Sequence, residues 1–258
     1  MSRALWVVFA LLAGCATQAP EGPSAGSGAI VGEAGTPRNR ARVHTELATL
    51  YYARGNMSVA LEELRAAVDA EPGYAAAHGV FGLVYMELRE NDLARQSFER
   101  ALRYAPDEPD INHNYGWFLC QTGKEGEAAP YFRRALSNPL YQTPARTYAA
   151  AGTCALRAGR LAEADDNLQR ALRIDPNQPT AILQTALLRY RQARYVEARG
   201  MVARHAKIAE PSPASLWLAL RIERRLGQRS AELSYANQLR RRFPESPEYQ
   251  SLRRGNYE

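Results

Sequence analysis

The chain has 258 residues, 46% hydrophobic and 23% charged, a globular balance that excludes wholesale disorder. A mean hydropathy of −0.43 with a single short apolar run excludes a multispan membrane protein. Three cysteines are too few for a disulfide-built scaffold, and a formal net charge of +6 permits an anionic partner without requiring one.

The N-terminus reads as an address. Met1-Ser2-Arg3 precedes the apolar run from Ala4 to Ala13. That run falls short of the ~20 residues a bilayer span needs, but it suits a secretory signal. It ends in Leu12-Ala13-Gly14-Cys15, which resembles the bacterial lipobox. The resemblance implies a signal peptide over 1–14, cleavage before Cys15, and lipid on the Cys15 thiol and new amine. An ordinary secreted protein with a chance cysteine is the alternative. By the sorting rule of enteric-type lipoproteins, Ala16 where Asp would favour retention implies the outer membrane. Residues 15–37 should form a flexible tether, since Thr17 to Pro37 carry five Gly and three Pro and too little apolar surface for a core.

A repeat organises everything that follows. Ala60, Ala94, Ala128, Ala164 and Ala198 are spaced 34, 34, 36 and 34 apart, and Ala67, Ala101, Ala135 and Ala171 keep the same beat. Gly82, Gly116 and Gly152 join them, and Pro72, Pro106 and Pro176 close three units. In the first unit Leu47, Ala48 and Tyr51 share one face of a helix A, while Ala60, Leu64 and Ala67 share one face of a helix B. Gly55 sits where helix A must end in a left-handed residue, and Pro72 stops helix B. The pattern resembles the tetratricopeptide repeat. It predicts an all-α superhelix (an α-solenoid) over 38–258, with about six helix pairs, some twelve helices and no sheet. The units are roughly 41–74, 75–108, 109–144, 145–178, 179–212 and 213–246. The fifth departs at His205, and the sixth at Glu232, where alanine is expected. That leaves the sixth unit's register open and suggests a polar cap. The insertion Asn138–Pro144 accounts for the 36-residue interval and should form a stiff, partly apolar turn.

Little in the chain looks catalytic, and neither a metal site nor a cofactor is expected. His44, His78, His113 and His205 do not fall in spacings that put two ligands on one helical face. No phosphate-binding glycine loop or nucleophile elbow is present, and Glu62-Glu63 and Asp165-Asp166 read as solvated faces. Cys120 and Cys154 remain after lipidation, on helix A of the third and fourth units, at similar heights. In an oxidising compartment a bridge across that seam is expected; two small buried thiols are the alternative.

By the register of tetratricopeptide repeats, certain helix A positions face a concave groove. Carried over, they point to Tyr52, Leu83, Met86, Trp117, Leu156, Leu187 and Tyr190 as a greasy docking surface for a polypeptide, with Arg146, Arg157 and Arg191 beside it. Some of these are expected to pack between helices instead. Nine arginines against five acidic residues lie between Ser212 and Glu258, which a solvated face, anionic lipid or an acidic partner segment would suit. Nucleic acid is disfavoured by the export signal.

Several stretches together resemble the PilF/PilW family of type IV pilus biogenesis lipoproteins: Asn112 to Cys120, Asn138 to Pro144, Asn177-Gln178-Pro179, Tyr195 to Arg199 and Ser215 to Arg224. The resemblance implies a noncatalytic pilotin, lipid-anchored to the inner leaflet of the outer membrane and facing the periplasm. It would bind the secretin subunit in its groove and promote that subunit's localisation and multimerisation. A structural scaffold of another outer-membrane assembly machine, and an accessory of a cell-wall enzyme, are the alternatives.

Overall fold

The computed structural model describes residues 35–257. The expected signal peptide, Cys15 and nearly all of the tether lie outside the described residues. Among the described residues there are thirteen helices and no strand. Six antiparallel pairs follow one another: α1 (Pro37–Ala53) with α2 (Met57–Ala70), α3 (Ala75–Glu87) with α4 (Asn91–Tyr104), and α5 (Pro109–Gln121) with α6 (Glu125–Leu136). Then come α7 (Pro144–Arg157) with α8 (Leu161–Ile174), α9 (Pro179–Arg191) with α10 (Tyr195–His205), and α11 (Pro213–Arg225) with α12 (Arg229–Arg242). The thirteenth, α13 (Pro247–Arg253), exceeds the expected number. It starts because Ser246 accepts a hydrogen bond from the Tyr249 amide at 3.2 Å and Pro247 is pre-set for a first helical turn.

Proline opens most A helices, where a missing N–H is harmless, and side chains cap several of them. Ser212 and Ser215 form a reciprocal capping box at the start of α11. Each A helix turns into its B helix through one left-handed residue. Gly55 takes that place in the first unit with φ +76°, and Arg89 and Ala193 are forced into the same conformation in the second and fifth, at φ 62° and 59°.

The A and B helices of one unit meet through a small residue facing a large one. Gly82 faces Phe98, Gly116 faces Phe132 and Gly152 faces Leu168, so closely that a methyl group on Gly82 would lie 2.6 Å from the Phe98 ring. Phe98 and Phe132 are fully enclosed, and rings of Tyr115 and Phe118 pack on Phe98 at 5.7 Å. The sixth unit keeps this volume but reverses the sizes: Leu220 now stands on helix A and Ala236 on helix B, in a cluster with Leu216, Trp217 and Leu239. Glu232, 34 residues after Ala198, keeps its place in the fold and is 7% exposed, with its carboxylate held by Arg224 at 3.0 Å and Arg229 at 3.2 Å. The sixth unit is therefore in register. The outer end is covered by α13, whose Tyr249 and Leu252 pack on Trp217, Leu220 and Leu239, rather than by a polar face of α12.

At the other end α1 has no earlier unit among the described residues. Leu47, expected on the packed face, is 37% exposed, and Val43 and Leu50 are exposed beside it. Consecutive A helices touch one another along the array, whereas consecutive B helices do not touch among the described residues. Closer packing on the A side curves the stack, so α1, α3, α5, α7, α9 and α11 line the inner wall.

Candidate functional site

The inner wall is where the array offers a continuous surface. Its middle is apolar. Leu83, Met86 and Trp117 pack by one edge on the cluster around Phe98 and Phe118 and keep the other edge accessible. Leu183, Leu187 and Tyr190 do the same on the cluster of Ala186, Leu218 and Ile222. Tyr52 is half-buried at the first unit. Its phenol pKa is raised, mainly by burial and then by the Glu87 carboxylate, while Arg146 pulls it the other way. Groups from α1, α3 and α7 thus share one electrostatic environment across the hollow.

Leu156 does not belong to this surface. It is 1% exposed and packed with Ala164, Leu168 and Leu188, because α9 closes over it. The three arginines stay exposed and act as struts between units. Arg146 donates to the Asn114 side chain at 3.2 Å, and Arg157 donates to Gln121 at 2.7 Å with Glu125 at 3.7 Å. Arg191 donates to the carbonyl of Leu156. Arg221 escaped the sequence argument although it lies 34 residues after Leu187; doubt over the sixth unit's register hid it. Its guanidinium stacks over Tyr190 at 4.9 Å and lies 5.7 Å from the Trp217 ring.

Cys120 and Cys154 form a disulfide between α5 and α7, with Cα atoms 5.6 Å apart and both side chains buried. It ties the third unit to the fourth beside the insertion. There Leu140 is 79% exposed, so the apolar part of that turn stays outside the core. Order comes from polar contacts: Asn138 accepts from the Leu140 amide at 2.9 Å, and the Tyr141 and Thr147 hydroxyls meet at 2.9 Å. Thr147 also meets His113 Nδ1 at 2.8 Å. Burial, with a smaller effect from Arg146, lowers the His113 pKa from 6.5 to about 3. This imidazole is a neutral core group. His78 is likewise buried, on the Pro72 carbonyl at 2.9 Å, and His44 meets Glu63 at 2.7 Å. No group of three or more His, Cys, Asp or Glu able to hold a metal occurs among the described residues. A cleft of about 460 Å³ opens on the outer face between α6 and α8, floored by Phe132, Tyr148 and Ala151 and rimmed by charges of both signs.

Stacked helix pairs around a half-apolar hollow define a repeat protein of the interaction-scaffold class. Residues 45–88, 80–144 and 145–178 each match the tetratricopeptide repeat. The chain is 29% identical over 242 residues to the type IV pilus assembly protein PilF of Pseudomonas aeruginosa, covering 93% of each. The crystal structure of PilW, a widely conserved type IV pilus biogenesis factor, matches with 30% identity and a TM-score of 0.74, over 82% of this chain and 97% of that one. The structure of Pseudomonas aeruginosa PilF matches with 29% identity and a TM-score of 0.73, over 85% and 99%. The chain belongs to the PilF/PilW family of type IV pilus biogenesis tetratricopeptide-repeat proteins.

Proposed function

We propose that this protein is an outer-membrane pilotin. Its inner wall holds part of a secretin subunit without covalent chemistry, and lipid on Cys15 carries the pair to the inner leaflet of the outer membrane. There the protein promotes secretin multimerisation. The observation that carries the reading is the row of accessible apolar edges, Leu83, Met86, Trp117, Leu187 and Tyr190, on the inner wall of a chain of this family. Large apolar and aromatic side chains left open on a rigid concave surface are what a protein-docking site requires. The lipobox-like Leu12-Ala13-Gly14-Cys15 supports the anchor. The family's position in pilus biogenesis supports the partner.

The test has two arms. Cys15→Ser should leave the repeats folded but move the protein out of the outer-membrane fraction, with fewer secretin multimers on a heated gel. The double variant Trp117→Ala with Leu187→Ala should reduce secretin recovery by tenfold or more, roughly the loss expected of two docking anchors. Normal secretin multimers and pili in a strain lacking the protein would refute the pilotin reading.

A further inference from the structure

We propose that the second half of the inner wall, formed by α7, α9 and α11, receives an acidic segment of the bound polypeptide, with the Arg221 guanidinium taking a carboxylate from it. This rests on the groove being the docking surface and names the chemistry of what docks there. Helices α7 and α9 contain no acidic residue, and α11 contains only Glu223. That glutamate is 4% exposed and turns to Arg199 of α10 at 2.9 Å, away from the hollow. The same three helices carry seven arginines. Three are already committed: Arg157 to Glu125 at 3.7 Å, Arg189 to Asp165 at 2.9 Å and Arg224 to Glu232 at 3.0 Å. Arg146, Arg191 and Arg221 have no carboxylate partner among the described residues.

Arg221 is the most telling of these. Its Nε is buried and makes no hydrogen bond among the described residues. Enclosure in the fold and the nearby charge of Arg191 both work against its charged state. A buried guanidinium donor left unpaired is unfavourable, and the unfavourable part is what an arriving carboxylate relieves. The Tyr190 and Trp217 rings hold its plane, so little side-chain freedom is lost on binding. The other half of the wall is charge-balanced: Glu46, Glu87 and Asp110 on α1, α3 and α5 stand against Arg38, Arg40 and Arg42 of α1, and Arg42 already pairs with Glu46 at 2.7 Å. A segment lying along the groove would therefore place its carboxylates over α7–α11 and its apolar part over α1–α5.

The experiment is fluorescence anisotropy with the full chain in detergent and labelled peptides of about eight residues alternating glutamate with leucine, beside glutamine and lysine analogues. The glutamate peptide should bind at least about tenfold more tightly than either analogue, the worth of one charge-assisted hydrogen bond or more. Arg221→Gln should remove about that tenfold and leave the glutamine peptide unaffected, with Arg221→Lys in between. Arg191→Gln, on an open side chain, should cost a few-fold and serves if Arg221→Gln alters the circular dichroism melt. Arg241→Gln on the outer face should cost less than about twofold. Equal binding of the glutamate and glutamine peptides, or equal losses for Arg221→Gln and Arg241→Gln, would overturn the proposal. Secretin recovery separates it from the docking reading. Recovery lost with Trp117→Ala and Leu187→Ala but undiminished with Arg221→Gln sinks the acidic-segment site and keeps the pilotin. The reverse finding, peptide selectivity as expected with no variant touching secretin recovery, keeps the site and sinks the pilotin.

Discussion

Gly82→Ala and Gly200→Ala are the same chemical change in two helices, and the structure gives them opposite signs. Alanine in place of a mid-helix glycine gains about 0.5–1 kcal/mol, because the unfolded chain loses freedom. Gly200 in α10 has nothing within 4 Å of where the new methyl would stand, so that gain should appear undiminished. At Gly82 the methyl would sit 2.6–2.7 Å from three atoms of the Phe98 ring. That ring is itself fully buried against Tyr115 and Phe118, so α3 and α4 must separate rather than the ring swing away. Overpacking of this kind costs about 1–3 kcal/mol, which outweighs the propensity gain and leaves Gly82→Ala less stable by about 1–2 kcal/mol. Urea denaturation followed by far-UV circular dichroism measures both changes, with tryptophan fluorescence checking that one transition is being compared. The shift of α3 should also displace Leu83 and Met86 and weaken partner binding. A Gly82→Ala protein as stable as its parent would refute the claim that close approach at this position sets the spacing of the helix pair.

Three other outcomes are expected. Ala193→Gly, which relieves a left-handed alanine at φ 59°, should stabilise the fold by about 1 kcal/mol in the same urea assay. Reducing the Cys120–Cys154 bridge, or replacing both residues with alanine, should lower stability by about 3–4 kcal/mol, the loop-closure entropy of the 34-residue separation, measured with and without reductant. His113 is held neutral, its pKa lowered to about 3 from 6.5, so its contribution is complete above pH 6.5 and is lost as pH falls toward 3. Relative to a His113→Gln control, stability should fall over that window at about 1.4 kcal/mol per pH unit, and a pH-independent difference would contradict the burial argument.

Much of the architecture was legible in the sequence because its causes are local and repeated. Alanine and glycine at 34-residue intervals, unit-closing prolines and the left-handed turn position each act within one helix pair, so their spacing specified helix pairs, turns and the seam that Cys120 and Cys154 bridge. Exposure is another matter, since it depends on what neighbouring units lay over a residue. Leu83 and Leu187 keep an open edge, whereas Leu156, chosen by the same register, disappears under α9. The sixth unit shows the same limit. Leu220 opposite Ala236, and a buried Glu232 held by two arginines, break the sequence pattern while preserving volume and charge balance, which only the assembled helices reveal. The length and residue types of the chain determined that hairpins stack. The packing of one hairpin on the next decided which side chains remain free to meet another polypeptide, because burial is a property of neighbours and not of position in the repeat.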